Sequence, residues 1–217
     1  PGSPLGRVAE TIDLLRQWEA HGVASIDGEF HIDQWTRVIR PDRRVPIYLA
    51  AVGPKALDLA GRVADGVFFN MLATPEYLAR AISQVRAAAT TAGRDPETLS
   101  FVANPGVLVT DQPEKVLGGR KRFVANVLAL PGMDALLENP ALDIPTIMRA
   151  VRAAMRTDEV LARGGAFSDF AREGDIDAAL AAMPDALVER GSAVGPLGHV
   201  QQRLAEFASV GVTDVVA

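Results

Sequence analysis

The spacing of apolar residues divides the chain into alternating helical and extended stretches. Val8, Ile12, Leu15 and Trp18 recur every three or four residues, which predicts an amphipathic helix over residues 5–18, ended by His21-Gly22. A short strand pair is expected around residues 26–30. Pro41 and Pro46 punctuate the approach to Val45-Pro46-Ile47-Tyr48-Leu49-Ala50-Ala51. That run is apolar without alternation, the pattern of a parallel strand covered on both faces. Gly53-Pro54 then opens a helix, with Gly acceptable at the N-cap and Pro favoured at the first helical position. Its buried stripe is Leu57, Ala60 and Val63. Asp65-Gly66 turns the chain into a second buried strand over 67–70. Thr74-Pro75-Glu76 starts a helix that runs to about Ala92 and stops at Gly93. A third strand is expected over 100–110.

Residues 112–190 read as several helices, broken at Pro131-Gly132, Asn139-Pro140, Gly164-Gly165 and Gly174. Gly195-Pro196 begins a helix through Phe207, and 212–217 reads as a final strand. Alternation of this kind implies βαβ units and a parallel sheet, an α/β fold in a single domain over 1–217. The core strands number four. A (β/α)8 barrel needs eight and about 250 residues. The pattern therefore fits either an open α/β sheet or a barrel whose front half is absent.

Composition narrows the function classes. The chain has 217 residues, 48% of them hydrophobic, ample for one core. A net charge of −5 gives no basic face for nucleic acid. The longest basic runs, Arg43-Arg44 and Arg120-Lys121-Arg122, are short enough to read as solvated positions. Without cysteine there are no disulfides, thiolate metal sites or thiol nucleophiles, which fits a cytoplasmic protein. No apolar stretch approaches the roughly 20 residues that span a bilayer, and no signal peptide is expected. Pro1-Gly2-Ser3 reads as turn sequence or an expression scar.

The most informative stretch is the strand-to-helix junction at Ala50, Ala51, Val52, Gly53, Pro54 and Lys55. Backbone N–H groups at a helix start lack partners, and the helix dipole adds partial positive charge there. Gly53 admits a ligand close to the backbone, and Lys55 adds charge, so the junction is a candidate anion site. The plain alternative is an ordinary helix start. In parallel α/β folds ligands sit at the carboxyl ends of strands, where Asn70, Thr74 and Asn104 are also expected. Each reads first as a cap or a satisfied amide. The three histidines, His21, His31 and His199, are not spaced as metal ligands; His199, in the first turn of the last helix, is a possible ligand contact. Asp65 reads as a turn residue. Neither Ser168 nor Ser192 lies in a nucleophile-elbow context. No acid–base pair or nucleophile stands out, which suits a protein whose cofactor carries the chemistry.

Pro46 through Leu57, then Leu59-Ala60-Gly61 and Ala64-Asp65-Gly66-Val67, resemble a signature of the luciferase-like monooxygenase superfamily, nearest its coenzyme F420-dependent branch. Glu76-Tyr77-Leu78, Ala92-Gly93-Arg94-Asp95-Pro96, Val109-Thr110-Asp111 and the stretch from Leu187 to Val194-Gly195-Pro196 match in order, although Gly-Thr-Pro or Gly-Ser-Pro is more usual in the last. The resemblance implies a (β/α)8 TIM-barrel fold. The chain would be its C-terminal half, strands five to eight, with a helical insertion over 112–190 after strand seven. It implies that Ala50, Ala51, Val52 and Gly53 hold a cofactor phosphate through backbone groups, the cofactor being F420 or alternatively FMN. It implies hydride transfer or monooxygenation of a small organic substrate, with ring-binding and catalytic residues mostly on the first four strands. The alternative is a non-catalytic truncated barrel that binds a phosphate-bearing ligand or a partner chain. Open edges on strands five and eight imply a homo-oligomer or pairing with a missing N-terminal half.

Overall fold

The structure is a computed structural model that describes residues 3–39 and 42–216. Pro1-Gly2, Pro41 and the end of the final strand at Ala217, all part of the sequence reading, lie outside the described residues. In chain order the helices and strands are α1 (Pro4–His21), β1 (Val23–Asp27), β2 (His31–Thr36), β3 (Tyr48–Ala50), α2 (Pro54–Val63), β4 (Gly66–Phe68), α3 (Pro75–Thr91), β5 (Ser100–Ala103), β6 (Val107–Val109) and α4 (Pro113–Leu128). They continue as α5 (Ile144–Ala154), α6 (Thr157–Ala162), α7 (Phe167–Glu173), α8 (Ile176–Ala182), α9 (Asp185–Arg190), β7 (Ala193–Gly195), α10 (Leu197–Ser209) and β8 (Asp214–Val215). The chain forms two compact units, one of residues 1–68 and 83–100, the other of 69–82 and 101–217. Among the described residues no helix is long and apolar enough to cross a membrane.

In the first unit α1 begins where Ser3 caps the Gly6 N–H and ends on Gly22 in the left-handed region at φ 77°. The expected strand pair is an antiparallel hairpin of β1 and β2, with Trp35 stacked on Trp18 of α1 at 5.6 Å. β3 and β4 run parallel, Tyr48 opposite Gly66 and Ala50 opposite Phe68. The α2 crossover between them buries Leu57, Leu59 and Ala60, and Val67 of β4 is fully buried with them. One expectation fails here. Cover on both faces was anticipated, but Tyr48 and Phe68 alternate with the buried set and remain 41% and 38% exposed. Apolar residues on both faces explain the unbroken run; cover exists on one face only.

In the second unit β5 pairs parallel with β8, and β6 parallel with β7. Phe69, Tyr77 and Phe101 form an aromatic core, Phe69 edge-on to Tyr77 at 6.3 Å and stacked on Phe101 at 6.4 Å. Residues 113–190 carry α4 to α9, in keeping with the helical reading of that stretch. The strand expected over 100–110 is instead two strands in separate sheets. Pro105 has no N–H for the ladder, and Gly106 at φ 62° turns the backbone out of the extended region, so the run breaks at Asn104-Pro105-Gly106.

A close helix approach in the first unit makes a direct check. A Cβ built on Gly61 would meet the Val85 carbonyl oxygen and the Ala88 methyl. Helix propensity favours Ala over Gly by about 1 kcal/mol, whereas overpacking costs about 1–3 kcal/mol. Backbone is the obstacle, so the clash wins, and Gly61→Ala is expected to lower stability in urea denaturation by about 1 kcal/mol. A more stable variant would show that α2 and the Val85 turn do not meet this closely.

Candidate functional site

The β3–α2 junction is built by the start of β3 and the clasp beneath it. Asp65, just ahead of β4, accepts the Ile47 N–H at 2.7 Å and Arg44 Nη2 at 2.6 Å, and also pairs with Arg16 of α1. Burial works to raise its pKa, but these donors together hold the carboxyl below its ordinary value. The Glu19 carboxylate, lowered chiefly by the Val45 N–H, secures the same approach to β3. Asp65 is therefore a structural anchor, more than the turn residue its place before Gly66 suggests.

Beyond Ala50 the chain passes buried Ala51 and reaches Gly53, the N-cap, extended at φ −84° and ψ 160°. The Gly53 carbonyl accepts the Ala56 and Leu57 N–H groups, both at 3.0 Å. Pro54 occupies the first turn, as anticipated, and no side chain caps the helix. No acidic residue lies in that turn, so nothing there offsets the positive end of the α2 dipole. A Cβ at Gly53 would meet no atom within 4 Å, so the space beside the backbone is open. Lys55 is exposed, and Pro54 and Lys55 line a cleft of about 500 Å³ with Leu5, Ala9, Asp58 and Arg62. A helix start without a side-chain cap, with an open approach and a nearby ammonium, suits a phosphate.

The other sequence candidates lie in the second unit. The Asn70 amide oxygen accepts the Leu72 N–H at 3.1 Å, a local turn. Thr74 is a cap: its hydroxyl donates to the Glu138 carbonyl at 2.9 Å and accepts the Tyr77 N–H. Asn104 is half-buried just past the end of β5.

Sequence reasoning did not anticipate a second cleft, of about 650 Å³, at the carboxyl end of β7 and the starts of α4 and α10. Glu114, Asn139, Glu189, Arg190, Gly195 and His199 are among its walls. The exposed His199, a ligand-contact candidate of the sequence reading, lines this cleft beside Gly195. Arg190 is already engaged, forked onto Glu76 at 2.9 and 3.1 Å and paired with Glu206. Arg190 chiefly draws the Glu206 carboxyl downward, against burial. Arg203 joins through Glu206 and through the Ser192 carbonyl, so the network braces the cleft wall. No periodicity could have revealed it, because its members are far apart in sequence.

A family model described as luciferase-like monooxygenase matches residues 1–214. The chain is 29% identical over 215 residues to a 5,10-methylenetetrahydromethanopterin reductase of Methanolobus tindarius, covering 99% of this chain and 60% of the relative. It is 28% identical over 235 residues to a putative coenzyme F420-dependent oxidoreductase of Mycobacterium tuberculosis, covering 98% of this chain and 62% of that protein. The coenzyme F420 dependent tetrahydromethanopterin reductase from Methanopyrus kandleri superposes with a TM-score of 0.74 at 22% identity, over 99% of this chain and 57% of that one. The chain thus spans about 60% of the length of these curated relatives, and the fold is of the α/β type found in that structure.

The Asp65 clasp sets a pH dependence. Its folded pKa is depressed, so its stabilisation is present above the unfolded value and is lost as pH falls through the folded one. Asp65→Asn is expected to cost about 2 kcal/mol at pH 7, with the difference from the parent shrinking below about pH 4. Urea denaturation at pH 7 and pH 3 checks this; a pH-independent difference would contradict it.

Proposed function

The chain belongs to the luciferase-like monooxygenase family, and on that premise we propose that it holds the phosphate of a deazaflavin cofactor, F420, as part of an oxidoreductase acting on a small organic substrate. The open, uncapped start of α2 at Gly53 carries the reading. Ala50 to Gly53 bring backbone groups to the phosphate, and Lys55 adds charge at the rim. Support for F420 over FMN comes from the relatives: the Mycobacterium tuberculosis and Methanopyrus kandleri proteins are described as F420-dependent. When bound, a deazaflavin gives or accepts a hydride. The residues of this chain bind and orient its tail.

We further propose that residues 1–217 form one partial barrel domain in which β3, β4, β5 and β8 are strands five to eight of eight. The parallel pairings and the exposed faces of Tyr48 and Phe68 support this, as does the share of the relatives that the chain spans. Among the described pairings β3 and β8 each have a single partner strand, so a second copy or an N-terminal half is expected along those edges.

Gly53→Asp tests the assignment without threatening the fold. Asp is at least as good an N-cap as Gly, so thermal stability should hold or rise. Its carboxylate, however, repels a phosphate at the same N–H groups. Followed by cofactor fluorescence, F420 should bind the parent, FMN more weakly, and F420 binding should weaken by roughly tenfold or more in the variant, about 1.4 kcal/mol. Binding of neither cofactor, or unchanged affinity in Gly53→Asp, would overturn the reading. Light scattering on the same sample should report more than a monomer; a stable monomer would remove the pairing proposal.

A further inference from the structure

The run Arg120-Lys121-Arg122 reads from sequence as solvated, and the structure separates its three cations. Lys121 Nζ lies 2.7 Å from the Asp185 carboxylate, and Arg122 lies 3.4 Å from Asp177. Each of these cations has an anion opposite. Arg120, on the inner side of α4, is partly buried, and no carboxylate comes within ion-pair distance of it among the described residues. Its one described hydrogen bond runs from Nη2 to the Met71 carbonyl at 2.7 Å. Its Nε is buried without an acceptor. Burial lowers its pKa, with no neighbouring charge to oppose the effect.

The surroundings are fitted to the guanidinium. Gly106 has a left-handed φ of 62°, and a Cβ there would collide with Arg120 Nη1, so the missing side chain is what makes room for the cation. Met71 follows the Phe69-Asn70 segment, and Gly106 follows the carboxyl end of β5. Carboxyl ends of parallel strands are where ligands sit in this class of fold. A strut between α4 and the Met71 carbonyl would use one donor of five. It would also leave a partly buried charge with no counter-ion and its Nε without an acceptor, an arrangement seldom kept unless something pairs with it.

We propose that Arg120 is the anchor of an oxyanion site, formed with the Met71 and Gly106 backbone segments, that takes a carboxylate or phosphate group of a small ligand. The guanidinium supplies a planar fork matched to such a group, and the ligand supplies the missing counter-charge. The site is separate in residues from the β3–α2 junction and does not depend on the cofactor assignment. The oxyanion belongs either to the substrate or to an acidic part of the cofactor, and the two sources give different results below.

Calorimetric titration of the whole chain with inorganic phosphate at constant ionic strength is the test. The parent should bind phosphate saturably at a site that persists in Gly53→Asp, and binding at that site is what the variants report. Arg120→Gln should weaken binding by roughly tenfold, Arg120→Lys by less because charge remains without the fork, and Arg122→Gln should leave it unchanged. No saturable binding by the parent would overturn the proposal. So would parent-like binding by Arg120→Gln, or an equal loss in Arg122→Gln. Should Arg120→Gln fail to fold, Arg120→Lys decides: unchanged phosphate affinity in that variant, with no loss of the fork's advantage, counts against the site. F420 titration of the same variants separates the sources. A parallel loss of F420 affinity places the oxyanion on the cofactor, and unchanged F420 affinity places it on the substrate. Failure of F420 to bind at all would remove the cofactor reading and leave the phosphate result standing.

Discussion

The first unit depends on where Asp65 puts its carboxylate. That group takes the Ile47 N–H and two guanidiniums, from Arg44 and Arg16, and so ties α1, the approach to β3 and the start of β4 to one point. Hydrogen bonds to a charged group are worth about 1.5–3 kcal/mol each, more than a neutral backbone bond, so the register Tyr48 opposite Gly66 is strongly set. Two residues beyond β3 comes Val52, and then Gly53. The helix start proposed to hold the phosphate is therefore positioned by an acid that is not among the proposed contacts. This is why Asp65 belongs to the site's support and not to its chemistry.

The elements around this junction were legible in the sequence because each obeys a local rule. Gly53-Pro54 reads as a helix start from the conformations of those two residues alone, and the structure places Pro54 in the first turn of α2. Thr74 reads as a cap for the same kind of reason and is one. The failures were of another sort. Val107-Leu108-Val109 looked continuous with β5, yet it pairs with Ala193–Gly195, a partner more than 80 residues away that no local pattern reveals. Arg120 looked solvated beside Lys121 and Arg122, since three adjacent cations on a helix give no sign of which one turns inward. The Glu76–Arg190–Glu206 network is equally invisible, being assembled from α3, α9 and α10.

The exposed apolar positions follow from the same logic. Tyr48 and Phe68 sit where β3 and β4 turn away from the buried side, and both side chains are large. An apolar strand with one face uncovered is a surface with a purpose. The proposed partial barrel would turn that face toward its interior. The two proposed ligand contacts are of different kinds, backbone at Gly53 and guanidinium at Arg120.

The central claim is that the backbone at the start of α2 grips a phosphate. Nitrogen-15 amide spectra of the labelled protein, recorded as F420 is added, address those groups directly. The account predicts that the largest shifts fall on Val52, Gly53, Lys55 and Ala56, saturating together, and that the Leu57 and Leu59 amides deeper in the helix move less. Saturable F420 binding that leaves the Gly53 and Lys55 amides unmoved would contradict it.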